Sequence, residues 1–498
     1  MNVNPITRLD YPDPDVIRVE DTYYMVSTTM HFMPGCEILQ SFDLVHWEHV
    51  TYVYETLDHT DAQQLKSGQN IYGQGMWAAS LRYHEGRFYI CFVANDTRKT
   101  YLYTSEKIDG PWKKQLIEGF YHDGSLLFDE DGRNYIVYGN DEIWITELNE
   151  DLTAPKKDGL HRLLVSDHKN PELGYEGSHI QKINGYYYIF LIHSLRDRWM
   201  RTEACFYSDS LEGEFTGGDV LCDDRGYCGQ GVAQGGIVDT PDGKWYAMLF
   251  QDSGAVGRIP ILLPVTWKDH FPFFGQNGHV PEEIEVHSTR PGYIYQPLVG
   301  SDDFCNGLLP RWQFNHDPDP RYYHLDALQG TYTITTREVC TELTQAVNTL
   351  TQRMSYPSCA AEVTVDASAL KEGDVAGLCA LQGCYAAVGI TKHHGKYEVL
   401  MLDKKEDGIL DMTEGTVVES HQMDFRLEAD FCNMKDEARC YYRVNKGDWL
   451  PIGTVHKLYF KLDHFTGCRF GLFCYAAEET GGSACFRDFK YYDVDEIL

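Results

Sequence analysis

One frame recurs five times in the first half of the chain, and it limits the fold more than any other feature. Its clearest copy runs Glu176-Gly-Ser-His-Ile-Gln-Lys-Ile-Asn-Gly185 and continues into Tyr-Tyr-Tyr-Ile. A leading residue is followed nine positions later by a turn residue, and then by an aromatic strand. Asp123 leads to Gly132, Trp77 to Gly86, Gln234 to Gly243, and Asp13 to Thr22, where threonine takes the glycine place. Each copy reads as a strand, a tight turn and a second strand rich in Tyr, Phe, Ile and Val. The copies lie roughly 45–65 residues apart, a spacing that suggests propeller blades. Blades are arranged radially, so equivalent positions of all five would face one another across a channel.

The leading residues are Asp13, Trp77, Asp123, Glu176 and Gln234. Three carboxylates converging with an aromatic ring and an amide suit a site that cleaves a glycosidic bond, where an acid and a base must flank the bond. No single motif carries this inference. Asp-Pro-Asp alone is a common turn, and the shared register is what raises it. Two other readings stay open. A carbohydrate-binding propeller without catalysis would not need carboxylates in register. A retaining propeller fructosidase would need a carboxylate nucleophile close to its acid.

A chain of 498 residues favours two or three domains. Residues 275–300 are punctuated by Gly and Pro and read as a boundary. From Asp302 onward the frame stops, and short alternating strands such as GTYTITT, YEVLMLD and RFGLFCY follow, as in a β-sandwich. The expected architecture is all-β: a five-bladed β-propeller over 1–290 and a β-sandwich over 300–498. Blade two is expected from Trp77 to about Glu118, and blade three from His122 to near Asp151. The polar, glycine-containing loop at 60–75 is expected to shape access to the site. Asp129-Glu130-Asp131-Gly132 resembles a calcium loop, but no EF-hand glutamate follows at the required spacing, so it reads as a hairpin turn. His31, His122, His179 and His193 read as hydrogen-bonding or wall residues rather than metal ligands.

The formal charge of −32 argues against nucleic acid and anionic membranes as partners and suits a neutral oligosaccharide. No uncharged apolar run reaches membrane length. Met1-Asn-Val-Asn-Pro lacks a basic n-region, and the 15 cysteines never form C-x-x-C, so reduced thiols in a cytoplasmic protein are expected. Homo-oligomerisation is left open.

The motifs YPDPDVIRVEDTYYM, HDGSLLFDEDGRNYIVYG, YEGSHIQKINGYYYIF and AVGRIPILLPVTW resemble glycoside hydrolase family 43. STTMHFMPGCEILQSFDLVHWE resembles its β-xylosidase and α-L-arabinofuranosidase branches, and ACFRDFKYYDVD resembles the end of its C-terminal, concanavalin-like sandwich. The resemblance implies an exo-acting, inverting hydrolase that releases a terminal β-D-xylose or α-L-arabinofuranose from hemicellulose oligosaccharides. It implies Asp13 as general base, Glu176 as general acid, and Asp123 as the carboxylate that orients the acid and tunes its pKa. Arg258 matches an arginine that binds sugar and carboxylates, Trp77 an aromatic wall, and Met30 and His31 pocket-lining positions. Gln234 stands where many members carry a histidine that is sometimes a calcium neighbour, so no metal or other cofactor is expected. Glu176 must hold a proton, so the nearby Asp123 anion and partial burial are expected to raise its pKa. A loop of the second half around Asp463-His464-Phe465-Thr466 is expected to narrow the pocket mouth.

Overall fold

Every copy of the frame folds as an antiparallel hairpin, and every hairpin opens a four-stranded sheet. In the computed structural model, which describes residues 2–413 and 415–493, the first sheet comprises Asp15–Val19, Thr22–Val26, Gly35–Ser41 and Glu48–Tyr54. The second runs from Met76–His84 out to Lys113–Ile117, the third from Ser125–Phe128 to His161–Ser166. The fourth runs from Glu176–Ile183 to Thr216–Leu221, and the fifth from Val232–Asp239 to Phe271–Phe274. The first strands of successive sheets touch one another in a closed ring, the fifth meeting the first. This is the five-bladed propeller.

Separate apolar cores fill the seams between neighbouring blades. Val26 and Ile38 meet Leu81 and Ile90 in one seam, and Val137 and Ile145 meet Ile180 and Ile189 in another. Both faces of a blade are therefore buried, which explains strands such as Tyr186–Ser194 that are apolar almost throughout instead of alternating.

A buried polar knot crosses the ring between the first strands. Asp15 Oδ2 accepts hydrogen bonds from Arg82 Nη1 at 2.8 Å and from the Leu81 amide at 2.7 Å, while Oδ1 lies 3.1 Å from His179 Nδ1. Arg82 also reaches Ser125 Oγ at 2.6 Å and the Ile180 carbonyl at 3.2 Å, so the knot joins blades one to four. Gly236 of blade five leaves it room, since a Cβ there would come within 3.1 Å of Asp15 Oδ1. Burial alone would raise the Asp15 carboxyl, but Arg82 and His179 bring it down to about 2.

The second half forms two packed sheets. One of them continues into the propeller: Phe32–Met33 of blade one pairs with Gln313–Asn315 as its edge strand. Ala255, Val256 and Ile259 of blade five lie in the same core as the sandwich strands. Asp10 bridges the two halves, accepting from the Arg258 amide at 2.7 Å and the Gly467 amide at 2.8 Å.

Three sequence expectations change. Blade three does not end near Asp151; after a turn tied by Asn149 it returns as His161–Ser166, its outer strand. The 275–300 segment is more than a boundary, because Glu283–Ile284 pairs with Asn2–Val3. The loop at 60–75 does not line the pocket. It docks on the sandwich, through Ile71 N to His316 Nε2 at 3.0 Å, Tyr72 Oη to the Thr344 carbonyl at 2.6 Å, and the Gln63 carbonyl to Asp317 N at 2.8 Å. Its polar residues satisfy an interdomain surface.

Candidate active site

The leading residues reach one cavity because the backbone at each is irregular. Asp13, Asp123 and Gln234 have positive φ of 53°, 47° and 57°. A left-handed residue with a side chain costs roughly 1–2 kcal/mol, and such strain clusters at functional sites. In the other two blades the inner strand is bulged, between Met76 and Ala79 and between Glu176 and His179. A bulge re-aims a side chain out of the regular pleat, here toward the mouth of the ring. Gly177 completes the turn with φ of 65°; a Cβ there would lie 2.7 Å from the Gln234 side chain.

The cavity measures about 580 Å³. Asp13, Met30, Trp77, Asp123, Glu176, Gln234 and Arg258 all line it. His31, expected on the same wall, does not. It is fully buried behind the wall, with its ring against Phe32, Tyr72, His316 and His464. Met30 has left-handed backbone, with φ of 51°, and the chain turns there, placing Met30 on the wall and His31 in the interdomain seam.

Both Asp13 oxygens are held: Oδ1 accepts from Arg258 Nη1 at 2.8 Å and Oδ2 from Thr28 Oγ1 at 2.7 Å. Arg258 therefore rests on Asp13 rather than on Asp123. Glu176 Oε2 accepts from Asn140 Nδ2 at 2.6 Å and lies 3.4 Å from His122 Nε2. His122 Nε2 is also 3.6 Å from Asp123 Oδ2, which accepts from the Gly177 amide at 3.0 Å. Two buried atoms, Asp123 Oδ1 and the Trp77 indole nitrogen, have no protein partner. Buried polar atoms left unpaired call for an explanation, and both belong to residues of the cavity wall.

The electrostatics differ from the sequence expectation. Burial pushes Asp123 up to about 6, helped by the charges of Glu176 and Asp13 and opposed by His122. Burial also works to raise Glu176, but His122, with Arg201 and Arg258 further off, outweighs it and holds this carboxyl below its usual value. Burial opposes the His122 cation, yet Asp123 and Glu176 bring it up to about 9. The expectation counted one anion beside Glu176 and missed the cation between the two.

Sequence reasoning missed Arg201, Asp252, Asn140 and Trp199 on the wall. Arg201 Nε lies 2.7 Å from Asp252 Oδ2, and Arg258 Nε lies 3.4 Å from Asp252 Oδ1. A signal existed, since Arg201 and Arg258 both open the third strand of their blades. Phe460, Leu462 and Phe465 of the sandwich complete the wall; the Phe465 ring packs on Trp77 and on the Arg258 guanidinium, 4.2 Å away.

Residues 3–272 match the family model described as glycosyl hydrolases family 43, and residues 301–492 match the β-xylosidase C-terminal concanavalin A-like domain. A β-xylosidase of Formosa agariphila is 27% identical, over 99% of this chain and 89% of its own. A xylosidase/arabinosidase of Butyrivibrio fibrisolvens is 23% identical, over 99% of each. A solved structure, a bifunctional GH43-CE protein of Bacteroides eggerthii, superposes with a TM-score of 0.91 at 42% identity; it covers 99% of this chain, which spans 63% of that longer protein.

Proposed function

Because the chain belongs to glycosyl hydrolase family 43 and is a glycoside hydrolase, we propose that it removes a terminal pentose, β-D-xylose or α-L-arabinofuranose, from short hemicellulose oligosaccharides with inversion. The reading rests above all on one observation: Asp13, Asp123 and Glu176 share a single cavity that the sandwich walls on one side. The names of the similar proteins, xylosidase and arabinosidase, support the sugar class.

In this proposal Asp13 is the general base. With Arg258 and Thr28 fixing its two oxygens, it is oriented to draw a proton from a water that attacks the anomeric carbon. Glu176 is the general acid. Before substrate binds, the proton it must give is stored on His122, whose ring nitrogen lies 3.4 Å from Glu176 Oε2. A neutral sugar that displaces water around Glu176 raises its pKa by desolvation and draws the proton across. Asp123 sets the balance of this trio.

No cofactor enters the proposal. His122, Asp123 and Glu176 bring donor atoms within 4.8 Å of one another, and a metal there would have to displace the proton that the two carboxyls hold on His122. Gln234 offers a neutral amide in place of an imidazole. The test is hydrolysis of aryl β-D-xylopyranoside and aryl α-L-arabinofuranoside, with and without chelator. Release from at least one, undiminished by chelator, is expected; inertness toward both, or activity that needs Ca²⁺ restored, contradicts the reading.

A further inference from the structure

The cavity is larger than one pentose ring fills, and one part of its wall is unused by the roles above. Trp199 lines it, yet 45% of the residue is exposed, an unusual state for an indole inside an ordered turn. The turn between Tyr186–Ser194 and Arg201–Ser208 is tied down: the Met200 amide donates to Ser194 Oγ at 2.7 Å, and Leu195 N donates to the Met200 carbonyl at 3.1 Å. Beneath the indole sits the buried Arg201 guanidinium, 5.3 Å from the ring centre and fixed by Asp252. Trp199 is thus a rigid, outward-facing aromatic surface with one face supported by a cation.

Its position gives it a direction. Phe465 packs between Trp77 of blade two and Arg258 of blade five, the blades that flank Asp13 of blade one. Trp199 belongs to blade four, as does Glu176. The sugar being released is enclosed on the Asp13 side, and the departing oxygen lies by Glu176. The rim beside Glu176 is formed by Asn140 of blade three and by Trp199 of blade four, whose indole is the exposed aromatic surface there.

We propose that Trp199 is the stacking platform for the first sugar ring on the leaving-group side, a pyranose of the hemicellulose chain; this rests on the hydrolase reading above. Pyranose rings present flat C–H faces that suit an exposed indole, and binding energy from a remote part of the substrate can be used at the reacting centre. Trp199 is accordingly a specificity-determining residue for oligosaccharides over substrates without a leaving sugar.

The test compares the full chain with Trp199→Ala and Trp199→Phe on two substrates: a pentose-terminated xylo-oligosaccharide, and the glycosyl fluoride of the same pentose. Fluoride is too small to touch the indole. Trp199→Ala is expected to lose at least about tenfold more kcat/KM on the oligosaccharide than on the fluoride, and Trp199→Phe to recover most of that difference. Equal loss on both substrates, or no loss on either, overturns the inference while leaving the hydrolase reading intact. Wild-type protein inert toward both substrates overturns the hydrolase reading and the platform with it.

Discussion

At Glu176 two strong influences oppose each other, burial and the His122 cation, and the cation wins in the protein alone. This gives a pH signature. The alkaline limb of kcat/KM reports the acid of the free enzyme, and here the last proton of the trio leaves His122 near pH 9. His122→Asn is therefore expected to move that limb to lower pH, because only two carboxyls remain to hold the proton; an unmoved limb would remove His122 from the proton store. Stability moves in the same sense. The folded protein binds more protons than the unfolded chain between the ordinary histidine value of about 6.5 and about 9, so the His122 contribution is whole below that window and lost as pH rises through it. The Tm advantage of the parent over His122→Asn should shrink across that range. Asp13, Asp123 and Glu176 were legible in the sequence because register alone brings them together. Their protonation was not, since it depends on which side of each carboxyl His122 takes.

Among the elements, the inner strands do two jobs. Their bulged or left-handed starts carry the site, while the residues that follow carry the knot of Asp15, Arg82 and His179. Arg82 spans four blades, so its removal leaves the wholly buried Asp15 without its main counter-charge. Loss of one partner from a buried pair costs about 3–5 kcal/mol. Arg82→Met should lower Tm sharply, and adding Asp15→Asn should return part of the loss; a Tm within experimental error of the parent would contradict the bracing role. The blades were readable from the nine-residue frame, but their outer edges were not. His161–Ser166 lies after a turn whose hydrogen bonds from Asn149 are local, and nothing in its composition marks it as the fourth strand of blade three. The loop at 60–75 was misread for a similar reason, because a polar surface facing another domain has the same composition as one facing solvent.

Across the whole molecule, propeller and sandwich share a sheet, a core and the pocket wall. Their seam holds His31, His316 and His464. Burial is the main cause holding all three down, His316 to about 3 and His464 to about 4. The unfolded chain binds the extra protons below about pH 6.5, so these groups destabilise the seam progressively as pH falls through that value. Tm should drop on acidification below pH 6.5, and His316→Asn, if it folds, should flatten the drop; an acid slope unchanged in the variant would place the cause elsewhere. The sequence marked the sandwich by its change of texture, but it did not fix which sandwich loop would reach the pocket, nor that Phe32–Met33 would join its sheet, a pairing between distant segments that carry no shared pattern. The most direct test of the account is the anomeric form of the first product, followed by proton NMR during the first minutes of hydrolysis. In the proposed mechanism Asp13 with its water and the acid Glu176 act on opposite faces of the sugar ring, which predicts early release of the inverted anomer; early release of the retained anomer would contradict the assignment of both carboxylates.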